Sequence, residues 1–301
     1  MMCAVWRQQV RRPSNLGRIG SDKMVNERPN KFMGWIKPLS LVLLLVLFLI
    51  AMSQITQAVP NGGYAHPEIL IQPEELKVLI EKRDPIIRII DVREKAQYLA
   101  GHIPGAIQIW RPDIEDKNHL IPGMMAVQKQ VEDLMGSLGI NNKNIIVIYS
   151  DGPDNGRIWW VLAYYGFPVK QMELLDGGID GWKAKGYPTE IVPAKVEKTI
   201  FELPRERKRA QTILCTLSDV KSALKKNDQV VLDVRSKKEF FGEETKKGAT
   251  RPGRIPGVTW IEWKEVLVEE GPHQDYWKPA EEIRKIFSAK EVTPDKDIYI
   301  Y

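Results

Sequence analysis

Short, almost continuous apolar runs alternate along this chain with longer segments in which apolar residues recur every three or four positions. The short runs are Pro85 to Asp91, Asn144 to Tyr149 and Gln171 to Leu175. With so little polar alternation, each reads as a strand buried on both faces. Pro73-Glu74-Glu75-Leu76 opens the first helical segment, with a proline suited to a first turn and Leu76, Val78, Leu79 and Ile80 on its buried side. Val127 to Leu138 and Gly156 to Tyr165 supply two more. Strands separated by helices in this order predict a mostly parallel sheet covered on both faces. Gly177-Gly178, Gly181 and Gly186-Tyr187-Pro188 punctuate its end.

The pattern then starts again. Thr216 to Val220 is a helix start, Gln229 to Asp233 a strand, Ala280 to Phe287 a helix and Asp297 to Tyr301 a strand. Motifs repeat with the elements. Asp91-Val92-Arg93 returns as Asp233-Val234-Arg235, and the turn Gly101-His102-Ile103-Pro104-Gly105 returns as Gly253-Arg254-Ile255-Pro256-Gly257. His102 stands 47 positions before Tyr149, and Arg254 stands 47 before Tyr301. The registers match, so the 301 residues are read as a duplicated module, with the position after Tyr301 as the counterpart of Ser150. Residues 65–193 form the first module and residues 212–301 a partial second. Residues 194–211, charged and without apolar period, are read as a linker. Around Gly242 to Arg251 the second module carries ten extra residues, read as a surface insertion.

Ahead of the modules, the aliphatic run Leu41 to Met52 follows Lys31 and Lys37 and precedes Thr56-Gln57-Ala58, a small-x-small site for signal peptidase. The run is shorter than the roughly 18 residues that span a bilayer core. It reads as a secretory signal within an N-terminal extension of residues 1–58, with membrane association through an uncleaved anchor over residues 39–58 as the alternative. The expectation is an exported chain, periplasmic or anchored in the inner membrane facing the periplasm, with residues 1–58 absent from the mature fold.

Composition changes this picture little. The formal charge of +5 is concentrated in local segments, Arg7 to Lys23 and Arg205 to Arg209. No basic stripe is interleaved with stacking aromatics, so nucleic acid is not an expected partner. Cys3 and Cys215 are the only cysteines. With Cys3 lost alongside the signal no disulfide is expected, and Cys215 reads as a buried small hydrophobe. Two cysteines and four histidines without close ligand pairs predict no metal site, and no cofactor is expected.

The order of these motifs resembles a rhodanese domain: a strand ending in Asp-Val-Arg, a short helix with Tyr98 or Phe240, the Gly-x-Ile-Pro-Gly turn, Ile146 to Tyr149, then Leu175-Asp176-Gly177-Gly178-Ile179-Asp180-Gly181-Trp182. Arg157-Ile158-Trp159-Trp160 is similar to the first, non-catalytic half of tandem thiosulfate and mercaptopyruvate sulfurtransferases. The resemblance covers Ala65 to Tyr301. It implies an α/β fold of two rhodanese-like domains, each a mostly parallel sheet flanked by helices, the second incomplete, behind an N-terminal signal or anchor helix.

The implied function is sulfur transfer. A cysteine at the strand-to-helix loop takes sulfane sulfur as a persulfide from a small anionic donor, such as thiosulfate, and passes it to a thiol or to cyanide. A thiolate suits that role because it is soft and leaves readily, and converging loop N–H groups ahead of a helix lower its pKa. Ser150 holds the cysteine position of the first module. A hydroxyl without a neighbouring base stays un-ionised, so that module is expected to be silent. The nucleophile is expected just after Tyr301, and the chain itself supplies no catalytic residue.

Arg235 and Arg254 are the substrate-binding candidates, Arg235 lying nearer the expected cleft. Glu239 stands where animal thiosulfate-specific relatives carry an arginine, a departure that bears on donor preference. At the inactive loop, Ser150 is followed by Arg157, which binds either an anion or a partner between the modules. Asp91, Arg93, His102 and Asp233 are read as structural. The carboxylate is read as a cap of the following helix and the arginine as the partner of a nearby acid, and His102 hydrogen-bonds locally in a rigid turn. Two rivals remain: a catalytically inactive binding protein for an anion or a partner, and a phosphatase or arsenate reductase of the same architecture, with a longer loop and a following arginine.

Overall fold

The computed structural model describes residues 3–6, 63–121, 123–205, 213–246, 248–271 and 273–301. Residues 39–58, the expected signal or anchor, lie outside the described residues. Among the described residues no helix is long and apolar enough to cross a membrane. The described residues from Tyr64 to Tyr301 belong to one compact unit together with residues 3–6.

In chain order the strands are β1 (Cys3–Trp6), β2 (Leu70–Ile71), β3 (Ile87–Asp91), β4 (Ile107–Gln108), β5 (Ile145–Tyr149), β6 (Met172–Leu175), β7 (Leu214–Cys215), β8 (Gln229–Asp233), β9 (Thr259–Trp260) and β10 (Asp297–Ile300). The α-helices are α1 (Pro73–Glu81), α2 (Lys95–Ala100), α3 (Gln128–Ser137), α4 (Asp154–Tyr164), α5 (Gly178–Ala184), α6 (Leu217–Ala223), α7 (Lys237–Phe241) and α8 (Ala280–Ser288).

The first sheet has the order β2-β6-β5-β3-β4 and is parallel throughout. Its strands lack polar alternation because both faces are covered. In β5, Ile146 and Ile148 point to a cluster with Val131 and Met135 of α3 and with Ile158, Val161 and Leu162 of α4. Val147 and Tyr149 point the other way, to Leu76 of α1 and to Ile179 and Trp182 of α5. The period of two along the strand sorts the side chains between the two layers.

The second sheet has the order β7-β1-β10-β8-β9. Strands β10, β8 and β9 run parallel in the places of β5, β3 and β4. Strand β1 holds the place that β6 has in the first sheet, but it runs antiparallel to both neighbours. Cys3–Trp6 therefore belong to this fold, contrary to the expectation that the whole N-terminal extension would be absent from it. Cys3 is paired in register with Cys215. Cys215 is disulfide-bonded and only half-buried, which corrects its reading as a buried hydrophobe in a fold free of disulfides.

The expected linker is also more than a tether. Phe201 and Leu203 are buried in the core of the first module. The strap closes so tightly over α3 that a Cβ on Gly136 would meet the Thr199 carbonyl oxygen at 2.6 Å. Two apolar residues spaced two apart anchored an otherwise charged segment.

Candidate functional site

Each module builds the same network where its first long strand ends. In the first, the Arg93 backbone N–H donates to Asp91 Oδ1 at 2.9 Å, Nε donates to Oδ1 at 3.0 Å, and Nη2 donates to Oδ2 at 2.6 Å. The Tyr149 hydroxyl donates to Asp91 Oδ2 at 2.6 Å and accepts from the Ile103 N–H at 3.1 Å. The second module repeats the fork from Arg235 to Asp233, with Nε at 3.0 Å and Nη2 at 2.6 Å, and the Ile255 N–H donates to the Tyr301 hydroxyl at 3.3 Å. The carboxylates hold their own arginines; neither caps the next helix, where Glu94 and Ser236 are the N-cap residues. Two residues along an extended strand end bring the fork back onto the acid, a bidentate geometry that a lysine could not reproduce.

Burial distinguishes the copies. The Arg93 side chain is 4% exposed and the Arg235 side chain 22%. Burial pulls the Arg93 pKa down, but its hydrogen bonds and attraction to Asp91 outweigh that and leave it raised. Hydrogen bonding to Asp233 leads in raising that of Arg235. Burial, opposed by the Ile255 N–H and reinforced by Asp233, pushes the Tyr301 hydroxyl up to about 12.

Arg235 opens into a cleft of about 500 Å³ at the tip of β10. Tyr301, Arg254 and the ten-residue insertion line it, the insertion adding Lys246, Thr250 and Arg251. Lys246 is paired with Glu244 at 2.6 Å, and the Ser236 hydroxyl donates to Glu239 at 3.0 Å. Arg251 and Arg254 add cations beside the Asp233-paired Arg235, so the cleft suits a small anion. The insertion, read from sequence as a surface elaboration, is a wall of the candidate site. Its lysine and arginine were the overlooked signal.

His102 and Arg254 occupy equivalent turns and are held alike. The His102 ring stacks on Tyr98 at 3.8 Å, and its Nδ1 lies 2.8 Å from the Tyr98 carbonyl oxygen, which makes Nδ1 the donor. The Arg254 guanidinium lies 4.4 Å above the Phe240 ring, and Nη1 donates to the Phe240 carbonyl oxygen at 3.4 Å. The imidazole is fully buried, whereas Arg254 is exposed at the cleft.

The first module's loop has a different character. Ser150 is 4% exposed, and its carbonyl oxygen accepts the Ile179 N–H at 3.1 Å. Asp151 follows it and accepts from the Gln97 amide at 2.5 Å. Arg157 donates to the Gly123 carbonyl oxygen within its own module. Burial, then repulsion from Arg111, lowers its pKa.

The modules join beside this loop. The Tyr276 ring packs on Gly177 and Gly181, where Cβ atoms would come within 2.3 and 2.8 Å of it. The Trp277 N–H donates to Asp176 Oδ1 at 2.9 Å, and the Tyr64 hydroxyl donates to the Lys278 carbonyl oxygen at 2.7 Å. Sequence reasoning took the glycines as punctuation; the partner ring that requires them lies about 100 residues away and leaves no local signal.

The profile of the rhodanese-like domain matches residues 72–185. The sulfur carrier protein TtuD of Thermus thermophilus is 32% identical over 254 residues, covering 79% of this chain and 84% of that protein. Thiosulfate sulfurtransferase of Bos taurus is 29% identical, over 72% of this chain and 74% of its own. Among solved structures, SseA of Escherichia coli, a 3-mercaptopyruvate sulfotransferase with the rhodanese fold, superposes with a TM-score of 0.64 at 25% identity, covering 76% of this chain and 86% of that one.

Proposed function

The chain belongs to the tandem rhodanese family of sulfurtransferases, and from that premise we propose that it moves sulfane sulfur through a cysteine persulfide at the position following Tyr301. The observation that carries this reading is the asymmetry between the two strand tips. At the tip of β5 stands the buried hydroxyl of Ser150, followed by the exposed carboxylate of Asp151, whereas at Tyr301 a cleft opens onto Arg235 and Arg254.

In the proposed cycle the thiolate attacks the outer sulfur of thiosulfate, a sulfur–sulfur bond forms, and sulfite leaves with the electron pair of the broken bond. Cyanide or an acceptor thiolate then attacks the outer sulfur of the persulfide and returns the cysteine as thiolate. Arg235 and Arg254 hold the anionic donor and stabilise the charge on the departing group. Glu239 at the cleft favours a donor other than thiosulfate, and a mercapto acid fits the same cations through its carboxylate.

The test is a sulfurtransferase assay with thiosulfate and with mercaptopyruvate, cyanide being the acceptor. Residues 1–301 alone are expected to be inactive, since Cys215 is disulfide-bonded and Ser150 is no thiol. Turnover that vanishes in Cys215→Ser would overturn the assignment. Sequencing the gene past the Tyr301 codon decides the rest: a non-cysteine there refutes the persulfide mechanism and leaves the anion-binding reading, which the cleft also supports.

Export belongs to the same proposal. Its support is the run Leu41 to Met52, taken as the uncleaved anchor over residues 39–58 because cleavage after Ala58 would remove Cys3–Trp6 from the second sheet. Fractionation of cells, with the N-terminus of the product read by mass spectrometry, tests it, and a full-length cytosolic product refutes it.

A further inference from the structure

The first module carries an Asn155-Gly156 pair that neither the strand-tip networks nor the packing between the modules uses. Both residues stand in the first turn of α4, which begins at Asp154 behind Pro153, and both are half-buried. The Gly156 N–H donates to Asn155 Oδ1 at 2.7 Å, so the backbone nitrogen lies against the side-chain amide of the residue before it. It also donates to the Pro153 carbonyl oxygen at 3.1 Å. N–H groups of a first turn stand outside the ladder that holds the rest of a helix, so this one can be released while α4 stays in place. A Cβ built on Gly156 would meet nothing within 4 Å, and glycine brings none of its own, which leaves the approach of nitrogen to the amide carbon open.

We propose that Asn155 is a modification site, deamidating without an enzyme to isoaspartate and aspartate. The Gly156 nitrogen attacks Cγ of Asn155, a C–N bond forms, and the bond from Cγ to Nδ2 breaks. Ammonia leaves with the electron pair of that bond and with the proton given up by the Gly156 nitrogen. Water then opens the cyclic imide at one of its two carbonyls, giving aspartate or an isoaspartate whose chain runs through Cβ; nothing is oxidised or reduced. The positive end of α4 stabilises the negative charge that builds as the ring closes, and afterwards the new carboxylate. Among the described residues no other asparagine precedes a glycine. Asn144 is also locked, being 2% exposed with Nδ2 donating to the Ile86 carbonyl oxygen and Oδ1 accepting the Asn141 N–H. Asn142 is tied through Nδ2 to the Glu202 carbonyl oxygen. The inference holds whether or not the protein transfers sulfur.

The experiment keeps the 301-residue chain folded at mildly alkaline pH, samples it over days, and maps its peptides by mass spectrometry with fragmentation that separates isoaspartate from aspartate. A synthetic peptide of residues 150–157 is the unfolded reference. The peptide containing Asn155 is expected to gain one mass unit ahead of those containing Asn141, Asn142 or Asn144, at a rate that rises with hydroxide concentration. Gly156→Ala should slow the shift by about fivefold or more, from the roughly 1 kcal/mol by which alanine holds a helix better than glycine. Asn155→Asp should show no shift and match the aspartate product. An Asn155 peptide that stays unshifted in the folded chain while the synthetic peptide converts, or earlier conversion at Asn141, Asn142 or Asn144, would overturn the proposal.

Discussion

Replacing Gly177 by alanine tests the packing that joins the two modules. Gly177 has φ +73°, and a Cβ there would lie 2.3 Å from Cε2 and 2.6 Å from Cδ2 of Tyr276. Gly186 offers a matched control, with φ +71° and nothing within 4 Å of its Cβ position. At both positions the left-handed backbone costs an alanine about 1–2 kcal/mol. At Gly177 alone, forcing a methyl against a packed ring adds about 1–3 kcal/mol. The ring has little room to retreat, since Tyr276 is 7% exposed and the next residue is tied to Asp176 through its N–H. Gly177→Ala should therefore lose about 2–5 kcal/mol and Gly186→Ala about 1–2 kcal/mol, read from urea unfolding followed by tryptophan fluorescence. Adding Tyr276→Ala removes the obstacle, so the double variant should be less destabilised than the sum of the singles by about 1–3 kcal/mol. Equal losses at the two glycines, or strict additivity, would refute the argument.

Three further outcomes follow from the strand-tip networks and the module junction. Asp91→Asn leaves the buried Arg93 guanidinium without its counter-charge and should cost about 3–5 kcal/mol, against a smaller loss for Asp233→Asn beside the more exposed Arg235; the two urea midpoints check the order. Asp176 is held above the ordinary aspartate range by burial, against the hydrogen bonds of Gln72 and the Trp277 N–H. The folded chain keeps that proton to higher pH than the unfolded one, so stability falls as pH rises from about 3.9 through the raised value. Asp176→Asn should flatten that slope in a pH series of unfolding midpoints, and an unchanged slope counts against the assignment. Arg254→Ala should weaken thiosulfate or sulfite binding by about 10- to 100-fold, the loss of one charge-assisted contact, measured by calorimetry at fixed ionic strength; unchanged binding would move the anion site away from the cleft.

The chain's own pattern determined the repeated architecture and the residues of its repeated motifs. Runs such as Ile146 to Tyr149 alternate between two covered layers, and that requirement is written locally in their lack of polar residues. Asp91, Arg93, Asp233 and Arg235 were visible as a repeated motif, but that each acid holds the arginine two residues on was shown only by the structure. Tertiary structure decided what distance in sequence conceals. Phe201 and Leu203 turned a charged linker into part of the first core, because burial outweighs the polarity of their neighbours. The insertion is a wall of the cleft because Lys246, Thr250 and Arg251 line it together with Tyr301, about 50 residues further along the chain. The same arginine is 4% exposed in one module and 22% in the other, a difference that the Asp-Val-Arg triplet, identical in both, does not carry and that the packing around it decides.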